Sequence, residues 1–258
     1  MLKFFFSLLI STLTVLSVLA SVYSENKVSS KEIKWDKIYD GISFMERDYG
    51  KWFKKGKLYA IKLSKPRKIK FLKNTKDHTS LDELEKKYKS LIIINGSYFD
   101  EKYKPVGLLK IDDKIIKDKN DLGSSGILAI KDSEVNIFNK KEYAKYKNFP
   151  NLMQNGPLLV EENGKQGIYS DDHEYTSRTT IGITKKDEIL IVIADRAASP
   201  SLWEISQLLS KNENEGGFNC RKVINLDGGS STGLRINLPN KKLVVEENDF
   251  INNAIGVF

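Results

Sequence analysis

The chain has 258 residues, 40% of them hydrophobic and 29% charged, a balance that supports a sizeable core and excludes wholesale disorder. Its formal net charge of +8 comes mostly from scattered lysines, and with Cys220 as its one cysteine no disulfide can form within the chain. No basic helix, paired Cys and His, or aromatic-glycine sheet signature accompanies the charge, so a nucleic-acid partner is not expected.

The first 24 residues, MLKFFFSLLISTLTVLSVLASVYS, run from one lysine through an uncharged apolar stretch to small residues, the order of a secretory signal peptide. Cleavage after Ala20 or Ser24 would leave a secreted or periplasmic protein without a membrane span; the rival reading is an uncleaved anchor. Residues 25–90 read as a strand-rich N-terminal part. Lys57 to Ser64 alternates, with Tyr59, Ile61 and Leu63 on one face, and Arg67 to Leu72 reads as its hairpin partner. In TSLDELEKKYKS, Ser80 and Glu83 make a capping box, and Leu81, Leu84 and Tyr88 mark one face of a helix.

Residues 91–258 read as the main domain. It opens on LIIIN, Leu91 to Asn95, an apolar run that predicts a buried strand. Short strands are expected near Val106 to Ile116, Ile127 to Ile130, Val135 to Phe138, Pro157 to Val160 and Thr179 to Thr184, with QNGP, Gln154 to Pro157, as a turn. Ile189 to Ala194 is a second apolar run, ending at Asp195. A helix follows in SPSLWEISQLLS, with Ser201 and Glu204 as its capping box and Leu202, Ile205 and Leu209 on one stripe. KVINLD then ends at Asp227. Strand, helix, strand predicts a βαβ unit with parallel strands near the C-terminus, inside an α+β fold whose mixed sheet core carries packed helices. Leu234 to Leu238, Lys242 to Glu246 and Ala254 to Phe258 supply further strands.

Parallel strands deliver their carboxyl ends to one edge, where ligands collect. Asp195 and Asp227 each end such a strand, so two carboxylates could share a cleft as glycoside hydrolysis requires, with one of them the nucleophile or base. Gly228, Gly229, Ser230 and Ser231 follow Asp227 with little side chain, leaving backbone and hydroxyls for phosphate or sugar oxygens. Asn95, Gly96 and Ser97 repeat the design after another buried strand, with Tyr98 or Phe99 available to stack on a sugar. Arg178 opens a strand with a fixed positive charge suited to phosphate. Gly229 to Gly233 also fits G-x-S-x-G around Ser231, but no helix pattern follows and both histidines, His78 and His173, precede it. The Asp171 to Glu174 run, DDHE, lacks a recognised metal-ligand spacing; no metal site or cofactor is expected from it, and a divalent ion is left open.

Taken in order, INGSYFD, QNGPLLV, SRTTIGIT, ILIVIAD, SLWEISQLL, VINLDGGSS and NNAIGVF resemble the phosphodiester glycosidase family. Asn95 and Gly96 match its Asn-Gly-Gly-Phe-Phe, Arg178 its Arg-Thr-Ala, Asp195 the end of its Ala-Asp-Gly strand, and Asp227, Gly228 and Gly229 its Leu-Asp-Gly-Gly. Ser97, Arg196 and Ser230 stand where the family carries glycines. The resemblance implies an exported hydrolase that cleaves a sugar-1-phosphodiester in exopolysaccharide or cell-envelope glycan. Asp227, Asp195 and Arg178 would be its catalytic groups; Asn95, Gly96, Ser97 and the Gly228 to Ser231 segment would bind substrate. The non-enzyme alternative is an exported glycan-binding or surface-assembly protein that keeps the pocket without hydrolysis.

Overall fold

The computed structural model describes residues 33–51, 54–76, 78–120 and 125–258, so the segment read as a signal peptide lies outside it. In chain order the strands are β1 (Asp36–Tyr39), β2 (Ile42–Lys51), β3 (Lys54–Leu63), β4 (Ile69–Leu72), β5 (Ile92–Asn95), β6 (Leu109–Ile111), β7 (Lys114–Lys117), β8 (Gly126–Lys131) and β9 (Glu134–Asn139). They continue as β10 (Asn151–Asn155), β11 (Leu158–Glu161), β12 (Lys165–Gln166), β13 (Arg178–Thr184), β14 (Ile189–Ala194), β15 (Cys220–Asn225), β16 (Leu234–Leu238), β17 (Lys241–Val245) and β18 (Ala254–Val257). Among the described residues the α-helices are α1 (Leu81–Tyr88), a single turn α2 (Tyr143–Tyr146) and α3 (Leu202–Ser210).

Three sheets result, with strand orders β1-β2-β3-β14-β13-β15-β11-β12, β7-β6-β10-β8-β9 and β17-β16-β5-β18-β4. Ile61, Ile191 and Ile181 from the first, Leu128 and Met153 from the second, and Ile92, Ile94 and Ile236 from the third meet in one apolar cluster. Alternate residues of the first sheet, among them Leu58, Ala60, Val192 and Val223, turn to its other face. There they pack against Ile205 and Leu209 of α3. Burial on both faces is why ILIVIA is continuously apolar rather than alternating. Both capping boxes form as the sequence predicts, Ser80 with Glu83 on α1 and Ser201 with Glu204 on α3.

Four expectations change. The predicted mixed sheet is antiparallel in every described ladder. The adjacent parallel pair of a simple βαβ unit does not form. A tight turn over residues 185–188 closes β13 onto β14 as a hairpin, and β13 takes the place next to β14 that β15 would have needed. β14 and β15 therefore run the same way on either side of an antiparallel β13. Likewise β4 does not return along β3; it joins another sheet beside β18, while β3 pairs with β2 and β14. Gln154 and Asn155 of the predicted QNGP turn end strand β10 instead, and the turn is confined to the cis Gly156-Pro157 bond.

Candidate active site

Arg178 lies opposite Ala194 on one side of β13, and Thr180 lies opposite Asn225 on the other. Asp195 and Asp227 thus leave the same edge of the sheet two strand spacings apart, ~10 Å between their backbones. The third sheet delivers the end of β5 to this edge: the Asp227 amide donates to the Gly96 carbonyl at 3.1 Å and the Leu226 amide to Thr179 at 2.9 Å.

Asn95, only 1% exposed, is the joint between these sheets. Its Nδ2 donates to the Asp227 carbonyl at 2.7 Å, and its Oδ1 accepts from the Thr179 hydroxyl at 2.7 Å and the Gly233 amide at 3.3 Å. Buried, and bonded within the protein through both Oδ1 and Nδ2, it positions the Asp227 loop and does not face a sugar. Gly96 and Ser97 serve the same framework. The Asn253 Oδ1 accepts from the Ser97 amide at 3.0 Å, and its Nδ2 donates to the Ser97 hydroxyl at 2.6 Å. A Cβ at Gly96 would sit 2.0 Å from that Asn253 oxygen, which explains the glycine.

After Asp227 the chain folds back over Ser177. A Cβ on Gly228 would lie 2.8 Å from the Ser177 carbonyl, the Gly229 amide donates to that carbonyl at 3.0 Å, and the Ser177 hydroxyl donates to the Gly229 carbonyl at 2.7 Å. The Gly228 amide donates to the Asp227 Oδ1 at 2.9 Å, and those of Ser231 and Thr232 close a 3-10 turn. The backbone expected to present bare N–H groups to a ligand therefore uses most of them itself. Ser231 is buried, and strand β16 rather than a helix follows, so no nucleophile elbow is present.

Asp227, Gly228, Gly229, Ser230 and Ser231 line a hollow of about 370 Å³ together with Tyr98, Phe99, Thr176, Arg178, Asn225 and Asp249. Burial pushes the Asp227 carboxyl up to about 6, against the pull of the Ser231 hydroxyl and the Gly228 amide, and the charge of Asp249 adds to the rise. The Tyr98 hydroxyl donates to the Gly156 carbonyl at 2.8 Å and accepts from the Asn225 Nδ2 at 2.7 Å. Burial first, then the nearby Asp227, raise its pKa to about 12, so it stays a neutral phenol. Arg178 is buried; its Nε donates to the Pro200 carbonyl at 3.1 Å and its Nη2 to the Glu174 carbonyl at 2.7 Å. Among the described residues it forms no ion pair, and desolvation lowers its pKa. A cation held in this way beside a hollow favours an anionic ligand.

Asp195 is not among the residues facing this hollow. Its Oδ1 accepts from the amides of Ala197 and Ala198 at 2.9 and 2.8 Å, and its Oδ2 from the Lys57 amide at 2.9 Å. The carboxylate caps a turn and ties it to β3. The second carboxylate beside Asp227 is instead Asp249, whose Oδ1 accepts from the Tyr103 hydroxyl at 3.0 Å and the Phe250 amide at 2.7 Å. Sequence reasoning passed over Asp249, Asn225, Thr176 and Asn253. For Asn225 and Asn253 the one signal was a polar residue closing or opening an apolar run, as Asn95 also does. Among the described residues no three His, Cys, Asp or Glu side chains converge as a metal ligand set would.

The site sets a buried acid and a guanidinium that forms no ion pair among the described residues over one open hollow of a β-sheet protein, a make-up that suits an anionic ligand. The chain belongs to the phosphodiester glycosidase family, whose model matches residues 88–258. Among solved structures it is similar to the catalytic domain of zebrafish N-acetylglucosamine-1-phosphodiester alpha-N-acetylglucosaminidase, auto-inhibited by its pro-peptide, with 16% identity, a TM-score of 0.64, and 88% of this chain and 87% of that one covered. A hypothetical protein from Synechocystis is similar at 15% identity and a TM-score of 0.61, over 88% of this chain and 63% of that one. At such identities the likeness is one of fold. No curated protein sequence matches.

Proposed function

We propose that the protein is an exported hydrolase that cleaves the bond between a sugar's anomeric carbon and a phosphodiester, acting on exopolysaccharide or cell-envelope glycan. The observation that carries this reading is the buried Arg178 guanidinium, which forms no ion pair among the described residues, lining the same hollow as the Asp227 carboxylate. The phosphate would lie toward Arg178 and Thr176, and the reacting sugar toward Tyr98 and Phe99, with the anomeric carbon between them at Asp227. Asp227 acts as nucleophile or as base toward water, and the transition state has oxocarbenium character. The negative charge of Asp249 stabilises that cation, in the place expected of Asp195. Phosphate departs readily, so Arg178 needs only to hold the charge that grows on it.

The test is turnover of p-nitrophenyl sugar-1-phosphodiesters, followed as p-nitrophenyl phosphate released and developed by an added phosphatase, for the wild type and for Asp227→Asn. Saturable release that falls at least ~100-fold in the variant, with unchanged circular dichroism, is expected. Equal release by both proteins removes Asp227 from the chemistry. Tight binding without release makes the protein a glycan-binding module, a reading favoured by the engagement of Asp195 and of most loop amides inside the fold.

A further inference from the structure

Beside the Asp227 hollow, four aromatic side chains from three separate segments form one wall. The rings of Phe99 and Tyr103 stack with centroids 5.2 Å apart at 18°, and Phe250 meets Tyr103 edge-on at 6.2 Å. The His78 ring lies 5.3 Å from Tyr103 and 5.0 Å from Phe250. Asp249 braces the wall by accepting from both the Tyr103 hydroxyl and the Phe250 amide, and the Asn252 side-chain amide donates to the Tyr103 carbonyl. Such a cluster would ordinarily be an interior feature, yet Phe250 is 48% exposed and His78 is exposed. The wall is also continuous with the site. Phe99 and Asp249 line the Asp227 hollow, while Asp249 and Phe250 line the adjoining open cleft of about 640 Å³.

The cleft's charge narrows its ligand. Asp82, Glu246, Glu247 and Asp249 line it against the single guanidinium of Arg235, so a second phosphate or a nucleic-acid strand would be repelled. A neutral pyranose fits both surfaces: its C–H face packs on aromatic rings, and its hydroxyls donate to carboxylates. With phosphate toward Arg178, the reacting sugar's far side points toward this wall. We propose that Phe99, Tyr103, Phe250 and His78 form a second sugar subsite, which takes the ring next out from the reacting sugar, so that the glycone of the substrate is an oligosaccharide. The orientation rests on the hydrolase reading above; the existence of a sugar-binding surface does not.

The test compares two probes, a p-nitrophenyl phosphodiester of a single hexose and one whose glycone is a disaccharide of that hexose, by titration calorimetry and by release of p-nitrophenyl phosphate, read as p-nitrophenol after addition of a phosphatase. The disaccharide probe is expected to bind at least about tenfold more tightly, and Phe250→Ala and His78→Ala are each expected to bring the ratio of the two affinities toward one. Because both side chains are exposed, these variants should fold, and unchanged thermal unfolding checks that they do. Preferential binding that both variants abolish, without release, keeps the subsite and overturns the hydrolase reading. Release with no preference for the longer glycone keeps the hydrolase reading and overturns the subsite. Failure of both probes to bind overturns both.

Discussion

The side-chain amide of Asn95 donates to the backbone carbonyl of Asp227, so a residue ending the central strand of one sheet fixes the residue that follows a strand of another. Its oxygen gathers Thr179 and Gly233 into the same knot. Replacing it by alanine leaves a buried carbonyl, hydroxyl and amide without partners. Asn95→Ala is expected to lose about 2 to 4 kcal/mol of stability, seen as a lower urea midpoint with an unchanged denaturant slope. A variant as stable as the wild type would show that the knot can be dispensed with.

Asp195 makes the opposite case to the one its position in the sequence suggested. Three backbone amides use both of its oxygens, so its removal should unravel a turn and leave the chemistry alone. Asp195→Ala is expected to cost about 1 to 3 kcal/mol, while the fraction still folded turns over substrate within a few-fold of the wild-type rate. A ~100-fold fall in kcat with no change in the unfolding midpoint would restore Asp195 to the reaction.

The two helices with capping boxes, the buried β5, β14 and β15 and the C-terminal strands were legible because each is a local pattern. Pairing was not, since periodicity says that Ile189 to Ala194 is a strand without saying which strand lies beside it. The turn over residues 185–188 decided that, by setting β13 next to β14. At the site, Asp227 and Arg178 were legible as charges at the ends of apolar runs. Asp249 was not, because NDF carries no pattern, and the Tyr103 hydroxyl that helps to hold it comes from a distant part of the chain. The motif residues Asn95, Gly96 and Ser97 marked the right place for a different reason: they bind the protein to itself.

Arg178 reaches the hollow with two of its donors already committed to the carbonyls of Pro200 and Glu174. That anchoring sets the plane of the guanidinium and leaves its charge for the ligand. Arg178→Met keeps much of the packing volume and removes the charge. It is expected to weaken binding of a phosphodiester, or of inorganic phosphate as a competitor, by roughly 10- to 100-fold, the scale of one charge-assisted hydrogen bond. Arg178→Lys should recover part of this, because a point charge attracts phosphate but cannot keep both carbonyl bonds. Equal inhibition of all three proteins by phosphate would mean that the anion binds elsewhere.

The raised pKa of Asp227 ties stability and activity to the same proton with opposite signs. Burial is the main cause of its rise to about 6, from 3.8 for an unburied carboxyl. The fold prefers the protonated group, so this stabilisation is complete below the unfolded value and is lost as pH rises through about 6. Its size is on the order of 3 kcal/mol. Asp227→Asn, fixed in the neutral form, should therefore gain in Tm over the wild type between pH 4 and pH 7, by several degrees for a chain of this size. Activity needs the ionised form if Asp227 attacks or takes a proton, and kcat should climb through about pH 6 while the protein grows less stable. A pH profile that instead falls through about 6 would make the protonated Asp227 a general acid, and the role of nucleophile or base would pass to another group.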